Sequence, residues 1–144
     1  NNTFSDRKLL HQFKENKDQF DRQPLNEMLG ITLVERRLGF ARICLRKDET
    51  TPTGIGGSVH GGILAAMVDI VMLAALFTEV GPEEKPAGTA DLNISYLRPA
   101  QGKRIFADAT VIKHGRQLAM IEVEIIDDEH RLCAKGRTLY AFRR

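Results

Sequence analysis

Two cysteines are few for a chain of 144 residues. Cys44 and Cys133 each sit in a strand-like pattern and show no CxxC spacing. A disulfide framework is not expected; they read as small core residues in a reducing, cytoplasmic setting. Charge of one sign is scarce as well. The net charge is +2, with no long run of like charge. Phosphate-backbone binding needs a basic footprint, so nucleic acid is not the expected ligand. A long hydrophobic run is also missing. Ile63–Phe77 is apolar but for Asp69, and it is shorter than the roughly 20 residues that a membrane span needs. Near the N-terminus there are only short apolar groups such as Leu9-Leu10, so no secretory signal is expected. The four histidines, His11, His60, His114 and His130, show no HxH or HExxH spacing, and no metal site is expected. No repeat or low-complexity linker divides the chain, and its length suits one domain.

What is present falls into three stretches. Residues 4–20 repeat Leu9, Leu10, Phe13 and Phe20 at roughly helical spacing, with Thr3 and Asp6 as a capping box. "PLNEMLG" then puts Pro24 at the start and Gly30 past the end of a short helical turn. From Ile31 the period changes, and "ITLVERRLGFARICLRK" reads as two strands turning near Arg36–Gly39. A glycine loop leads into an apolar helix expected over about Gly61 to Val80. "GPEEKPAG" breaks that helix, and Pro86 and Gly88 prolong the loop. Antiparallel strands follow. "TADLNISYL" alternates, with Ala90, Leu92, Ile94 and Tyr96 on one face. "RIFADATVIKH" and "LAMIEVEIID" are joined by "HGRQ", and "DDEH" leads to "RLCAKGRTLYAF". The expected class is α+β, an antiparallel sheet curled around one helix. A helix apolar on nearly every side is buried on every side. One sheet cannot cover it all, so a second copy of the chain is expected to help.

The glycine-rich segment fails several motifs. Gly54 and Gly56 begin a GxGxxG pattern that ends on Val59, and no P-loop lysine follows. "GGSVH" has His60 where a nucleophile elbow needs glycine, so Ser58 is a poor nucleophile. Gly61 and Gly62 open the helix. The first N–H groups of a helix lack internal partners, and glycine lets a ligand approach, so this end suits a polarised carbonyl oxygen. His60 reads as a residue that fixes the loop by hydrogen bonding. Asp69 is eight residues past Gly61, about 12 Å along the axis. One chain therefore cannot easily aim both at one carbonyl, whereas two antiparallel helices can. The plainer reading of Asp69 is a buried carboxylate that caps a backbone group or pairs with a cation.

"GSVHGGILAAMVD", "GTADLNISYLRPA" and "GRQLAMIEVEIID" together resemble the hotdog-fold acyl-CoA thioesterases, in particular the phenylacetyl-CoA thioesterase-like group. The resemblance covers roughly residues 28–142. It implies a single hotdog domain over 1–144 with an N-terminal helical extension of about 1–29. It also implies a homodimer, often paired into a tetramer. Asp69 matches the family's acid, nucleophile or base for water. Gly61 matches the N–H donor to the thioester carbonyl, with His60, Gly62 and Ser58 beside it. Thr89 matches a hydroxyl that assists the acid or the water. Arg98, Lys113, Arg116 and Arg137 match basic positions for the coenzyme A phosphates. No cofactor is implied, since coenzyme A is part of the substrate. Many members carry Asn or Gln six residues before the histidine. Here that position is Gly54, and no amide occurs from Thr51 to Asp69; Thr53 and Ser58 are the hydroxyls that could stand in. A non-catalytic acyl-CoA binder and a hotdog hydratase or dehydratase are the alternatives.

Overall fold

The computed structural model describes residues 14–144. Thr3, Asp6, Leu9, Leu10 and Phe13, the first part of the expected N-terminal helix, lie outside the described residues. Its continuation is helical over residues 14–21, here α1. Helix α2, Pro24–Leu29, begins on proline and stops at Gly30, which is left-handed (φ 75°) and turns its N–H back to the Asn26 and Glu27 carbonyls. A β-carbon on Gly30 would also press on the Arg46 carbonyl oxygen at 3.2 Å. Buried Asn26 donates from Nδ2 to the Phe20 carbonyl at 2.9 Å and ties α2 to α1.

The sheet has six antiparallel strands: β1 Ile31–Arg37, β2 Phe40–Arg46, β3 Lys85–Tyr96, β4 Arg104–His114, β5 Leu118–Asp127 and β6 Leu132–Arg143. Their spatial order is β1-β2-β4-β5-β6-β3. Helix α3, Gly61–Leu76, packs on all six. Alternation decides which side chains face it. Ile121, Val123 and Ile125 of β5 are wholly buried while Glu122 and Glu124 are exposed. Many inward positions are small, including Ala41, Ala107, Ala109, Ala119 and Ala134. At Gly136 a β-carbon would come within 2.9 Å of a Val68 methyl, so glycine lets α3 lie against β6.

Two expectations need correction. Helix α3 stops at Leu76, not Val80. The Thr78 hydroxyl donates to the Ala75 carbonyl at 2.6 Å and accepts from Gly39 N–H at 2.7 Å, pinning the helix end to the β1–β2 turn. The stretch expected as loop through Pro86 and Gly88 is the start of β3. Strand β3 is an edge strand, where proline can leave its donor-free side unpaired, and a register shift between Pro86 and Gly88 absorbs the misfit. Cys44 and Cys133 are both buried and free. Among the described residues no helix is long and apolar enough to cross a membrane.

Candidate active site

The start of α3 is built by its loop. His60 N–H donates to the Pro52 carbonyl at 3.1 Å, and Gly54 N–H donates to the Ser58 carbonyl at 2.8 Å. The His60 ring caps the helix: Nδ1 accepts from Gly62 N–H at 2.9 Å. Its proton therefore sits on Nε2. Ser58 is buried and donates its hydroxyl to the Ile55 carbonyl at 2.6 Å. It braces the Ile55–Gly57 turn and offers no nucleophile. With Gly62 N–H taken, Gly61 N–H is the donor at this helix start left without a partner among the described residues. Tyr96 closes over it. Its hydroxyl donates to the Gly61 carbonyl at 2.7 Å, and its ring lies 3.3 Å from where a β-carbon at Gly61 would stand. Gly54, Ile55, Ser58, Gly61, Tyr96 and Arg98 line a cavity of about 310 Å³.

Asp69 sits in the middle of α3, half-exposed within the single chain. Within one chain α3 is not covered all round, in line with the expectation that one sheet cannot cover it. Ala65, Ala66, Asp69, Ile70 and Leu73 form a half-open stripe, because the sheet wraps only part of the circumference. The Thr89 hydroxyl donates to Asp69 Oδ1 at 2.7 Å. Thr89 lies opposite Tyr140 in the β3–β6 register, beside a second register shift that turns the strand. Burial, and then the Asp69 charge, hold the Tyr140 phenol above its ordinary pKa. Asp69 opens on a cavity of about 420 Å³ whose apolar lining includes Ile70, Leu73, Phe77 and Leu25. This cavity shares no lining residue with the one at Gly61. Asp69 and Thr89 are thus brought together, His60, Gly61 and Gly62 are brought together, and the two groups stay apart within one chain.

The basic residues scatter. Arg98 lines the Gly61 cavity. Arg137 is exposed on the outer face of β6, in register with Glu122 and Asn93. Lys113 is exposed near the end of β4, beside a register shift. Arg116 lines an open depression of mixed charge, with Glu79, Glu83 and Glu84 beside Lys85, His114 and Arg143. A β-carbon at Gly54 would meet only the His60 Cα at an ordinary 3.7 Å, so a side chain fits there. An amide does reach this turn: Gln101 Nε2 donates to the Gly56 carbonyl at 3.2 Å. Tyr96 and Gln101 were not legible as partners of the loop, since both lie about 40 residues downstream with no spacing signal.

In the sequence His114 is only one of four scattered histidines. Its Nδ1 faces Glu79 at 3.2 Å and its Nε2 faces Glu84 at 2.6 Å, with the ring stacked on Phe142. Two carboxylate acceptors are both satisfied only by the imidazolium. Burial pulls the imidazole pKa down, but the hydrogen bonds it donates to Glu84 and Glu79, with their charges, outweigh this and the net direction is up from 6.5. The Gly81 N–H, then His114, hold Glu84 below its ordinary 4.5. A raised His pKa gives stability that is complete below 6.5 and lost as pH rises through the folded value. A depressed Glu pKa gives stability present above 4.5 and lost as pH falls. The difference in melting temperature between wild type and His114→Gln is therefore expected to peak between pH 4.5 and 6.5 and shrink above. Melting curves across pH 4 to 9 check this, and a pH-independent difference counts against it. Among the described residues no cluster is arranged to hold a metal ion.

Comparison with known proteins adds the family. A profile described as "Thioesterase superfamily" matches residues 56–134. Acyl-coenzyme A thioesterase 13 of Homo sapiens is 39% identical over 110 residues, covering 74% of this chain and 76% of the relative. The medium/long-chain acyl-CoA thioesterase YigI of Escherichia coli is 26% identical over 130 residues, covering 81% and 84%. The crystal structure of zebra fish thioesterase superfamily member 2 superposes with a TM-score of 0.74 at 27% identity, covering 92% and 96%. A Haemophilus influenzae thioesterase shares the fold, with a TM-score of 0.80 at 23% identity over 90% of each chain. With its hotdog sheet wrapped around α3 and these matches, the chain belongs to the thioesterase superfamily.

Proposed function

We propose that the chain hydrolyses acyl-CoA thioesters at sites shared between two copies of itself. The observation that carries this reading is the Thr89–Asp69 hydrogen bond beside an apolar cavity, with the free Gly61 N–H on a separate cavity of the same chain. Strand β3 links the two. Thr89 near its start touches Asp69, and Tyr96 at its end touches Gly61. Its outer edge has no strand beside it among the described residues, and a long bare edge favours pairing. An antiparallel pairing of two β3 strands about a residue pair near their midpoint would bring the Thr89 end of one copy beside the Tyr96 end of the other. Asp69 would then meet the Gly61 end of its neighbour, as a two-fold axis requires.

In this site Gly61 N–H donates to the thioester carbonyl oxygen and stabilises the charge that develops there. Asp69 takes a proton from water, whose oxygen bonds to the carbonyl carbon; alternatively the carboxylate itself forms that bond and water later cleaves the anhydride. The C–S bond breaks, sulfur leaves with a proton as coenzyme A thiol, and the acyl group leaves as the free acid. Thr89 holds one Asp69 oxygen and leaves the other for the reaction. Arg98, in the Gly61 cavity, is assigned to coenzyme A ahead of Lys113, Arg116 and Arg137. A thioester is already activated, so the chemistry calls for no metal or redox cofactor. Paired dimers are the expected assembly, and the two free thiols suit a cytoplasmic setting.

Gly54 supports a second reading, a binder that retains acyl-CoA without cleaving it. His60 has no acidic partner among the described residues, so the pair that a hydratase needs is not made among them. Thiol release from an acyl-CoA panel, aromatic through long-chain, separates these readings. Hydrolysis of at least one member is expected. Tight binding with no thiol released from any of them gives the result to the binder, and an active monomer in solution removes the shared site.

A further inference from the structure

On the acyl-CoA reading, the acyl half of the substrate is addressed by the cavity beside Asp69. One wall runs along α3 from Asp69 past Ile70 and Leu73 to Phe77, about 12 Å at 1.5 Å per residue. The opposite wall comes from earlier in the chain: Phe20, Gln23 and Leu25 around α1 and α2, then Leu33 and Arg36 of β1. All of these precede residue 56, where the family match begins. The wall is fastened by polar groups that are already committed. Asp21 Oδ1 accepts from Leu33 N–H at 2.8 Å. Asn26 Nδ2 donates to the Phe20 carbonyl. Arg36 Nε donates to the Ala74 carbonyl at 2.8 Å, a C-terminal helix carbonyl that needs a donor. What remains open to the cavity is mostly apolar: Leu25 and Phe77 are 45% and 38% exposed there. An aliphatic acyl chain with its carbonyl at Asp69 would cover both.

We infer that the N-terminal extension sets the acyl-chain length this protein accepts, with Leu25 as a specificity-determining residue in the wall of the cavity; this rests on the acyl-CoA reading of the site. The thioester chemistry belongs to α3 and β3, while the length limit belongs to α1 and α2. The test is kcat/KM for a series from butanoyl-CoA to hexadecanoyl-CoA with wild type, Leu25→Ala and Leu25→Trp. Calorimetric binding of the same series runs alongside. Leu25→Trp is expected to lower the values for chains that reach it about fourfold per displaced methylene, with butanoyl-CoA changed less than about twofold. Leu25→Ala is expected to move the preferred length upward. Leu25 is half-exposed, and if the tryptophan variant fails to fold the alanine variant decides alone. Parallel length profiles in wild type and variant overturn the inference. So does a uniform loss accompanied by a changed assembly size, which would mean that a second copy covers this wall. Absence of turnover in wild type overturns the hydrolase reading, and the binding series then still shows or lacks the crossed pattern.

Discussion

Asp69→Asn is expected to lower kcat for thioester hydrolysis by about a thousandfold, within the range that loss of a general base produces. The variant isolates the charge. Asparagine has the shape of aspartate, and its Oδ1 can still accept the Thr89 hydroxyl now 2.7 Å away. Half-exposed Asp69 has no cation within ion-pair distance among the described residues, so no buried partner is stranded. The melting temperature should therefore change little while turnover falls. Single-turnover thiol release with matched melting curves measures both. An unchanged rate removes Asp69 from the reaction, and a collapse of the melting temperature with the rate returns it to a structural role.

Gly61→Pro should cost about a hundredfold to a thousandfold in kcat, the range for losing one donor to a developing oxyanion. Proline removes the N–H and puts its ring Cδ in that place, so the donor is lost and its position filled. Gly61 is the first residue of α3, where proline is favoured because that N–H has no helical partner. His60 already has the extended backbone that precedes proline, at φ −55° and ψ 134°. Exposed Tyr96 must yield a few tenths of an ångström at its 3.3 Å contact. The variant gains force in a mixture. Co-refolding equal amounts of Gly61→Pro and Asp69→Asn gives mixed dimers in which one site draws both intact groups and the other neither. About a quarter of wild-type activity should return if the chains pair at random about a two-fold axis. No recovery, with mixed dimers confirmed by mass, would show that each chain builds its own site.

Much of this architecture was legible because side-chain period reports burial. The stretches "LAMIEVEIID" and "RIFADATVIKH" match β5 and β4 in their bounds, and the alternation in the first matches its burial; the Gly61 start of α3 follows from its glycines. The pairing of Asp69 with Thr89 came through the family resemblance rather than through spacing. What stayed hidden depends on the third dimension. Pro86 and Gly88 signal a loop by local chemistry, and only the position of β3 at the sheet edge makes them tolerable in a strand. Thr78 ends α3 by meeting Gly39, a residue 39 positions away. The Glu79–His114–Glu84 clasp joins a loop to a strand end with no motif at either. By contrast, Asp69 lies on a stripe of α3 that one sheet does not reach, as the all-round apolar pattern of the helix implied.

The Gly136–Val68 contact bears on motion. Val68 precedes Asp69, and its methyls occupy the space that a β-carbon on β6 would fill. This turn of α3 is therefore wedged against a strand in a close-packed interior, which leaves little room to roll or slide. On the proposed reading of Asp69, this fixes the helix turn that carries the carboxylate before any ligand arrives. Of the two rim residues, Phe77 packs edge-on against Tyr140 with ring centroids 5.8 Å apart, and Leu25 is 45% exposed. On the proposed reading, the reacting group thus stands on a close-packed turn of α3 while the acyl chain runs toward the more exposed Leu25.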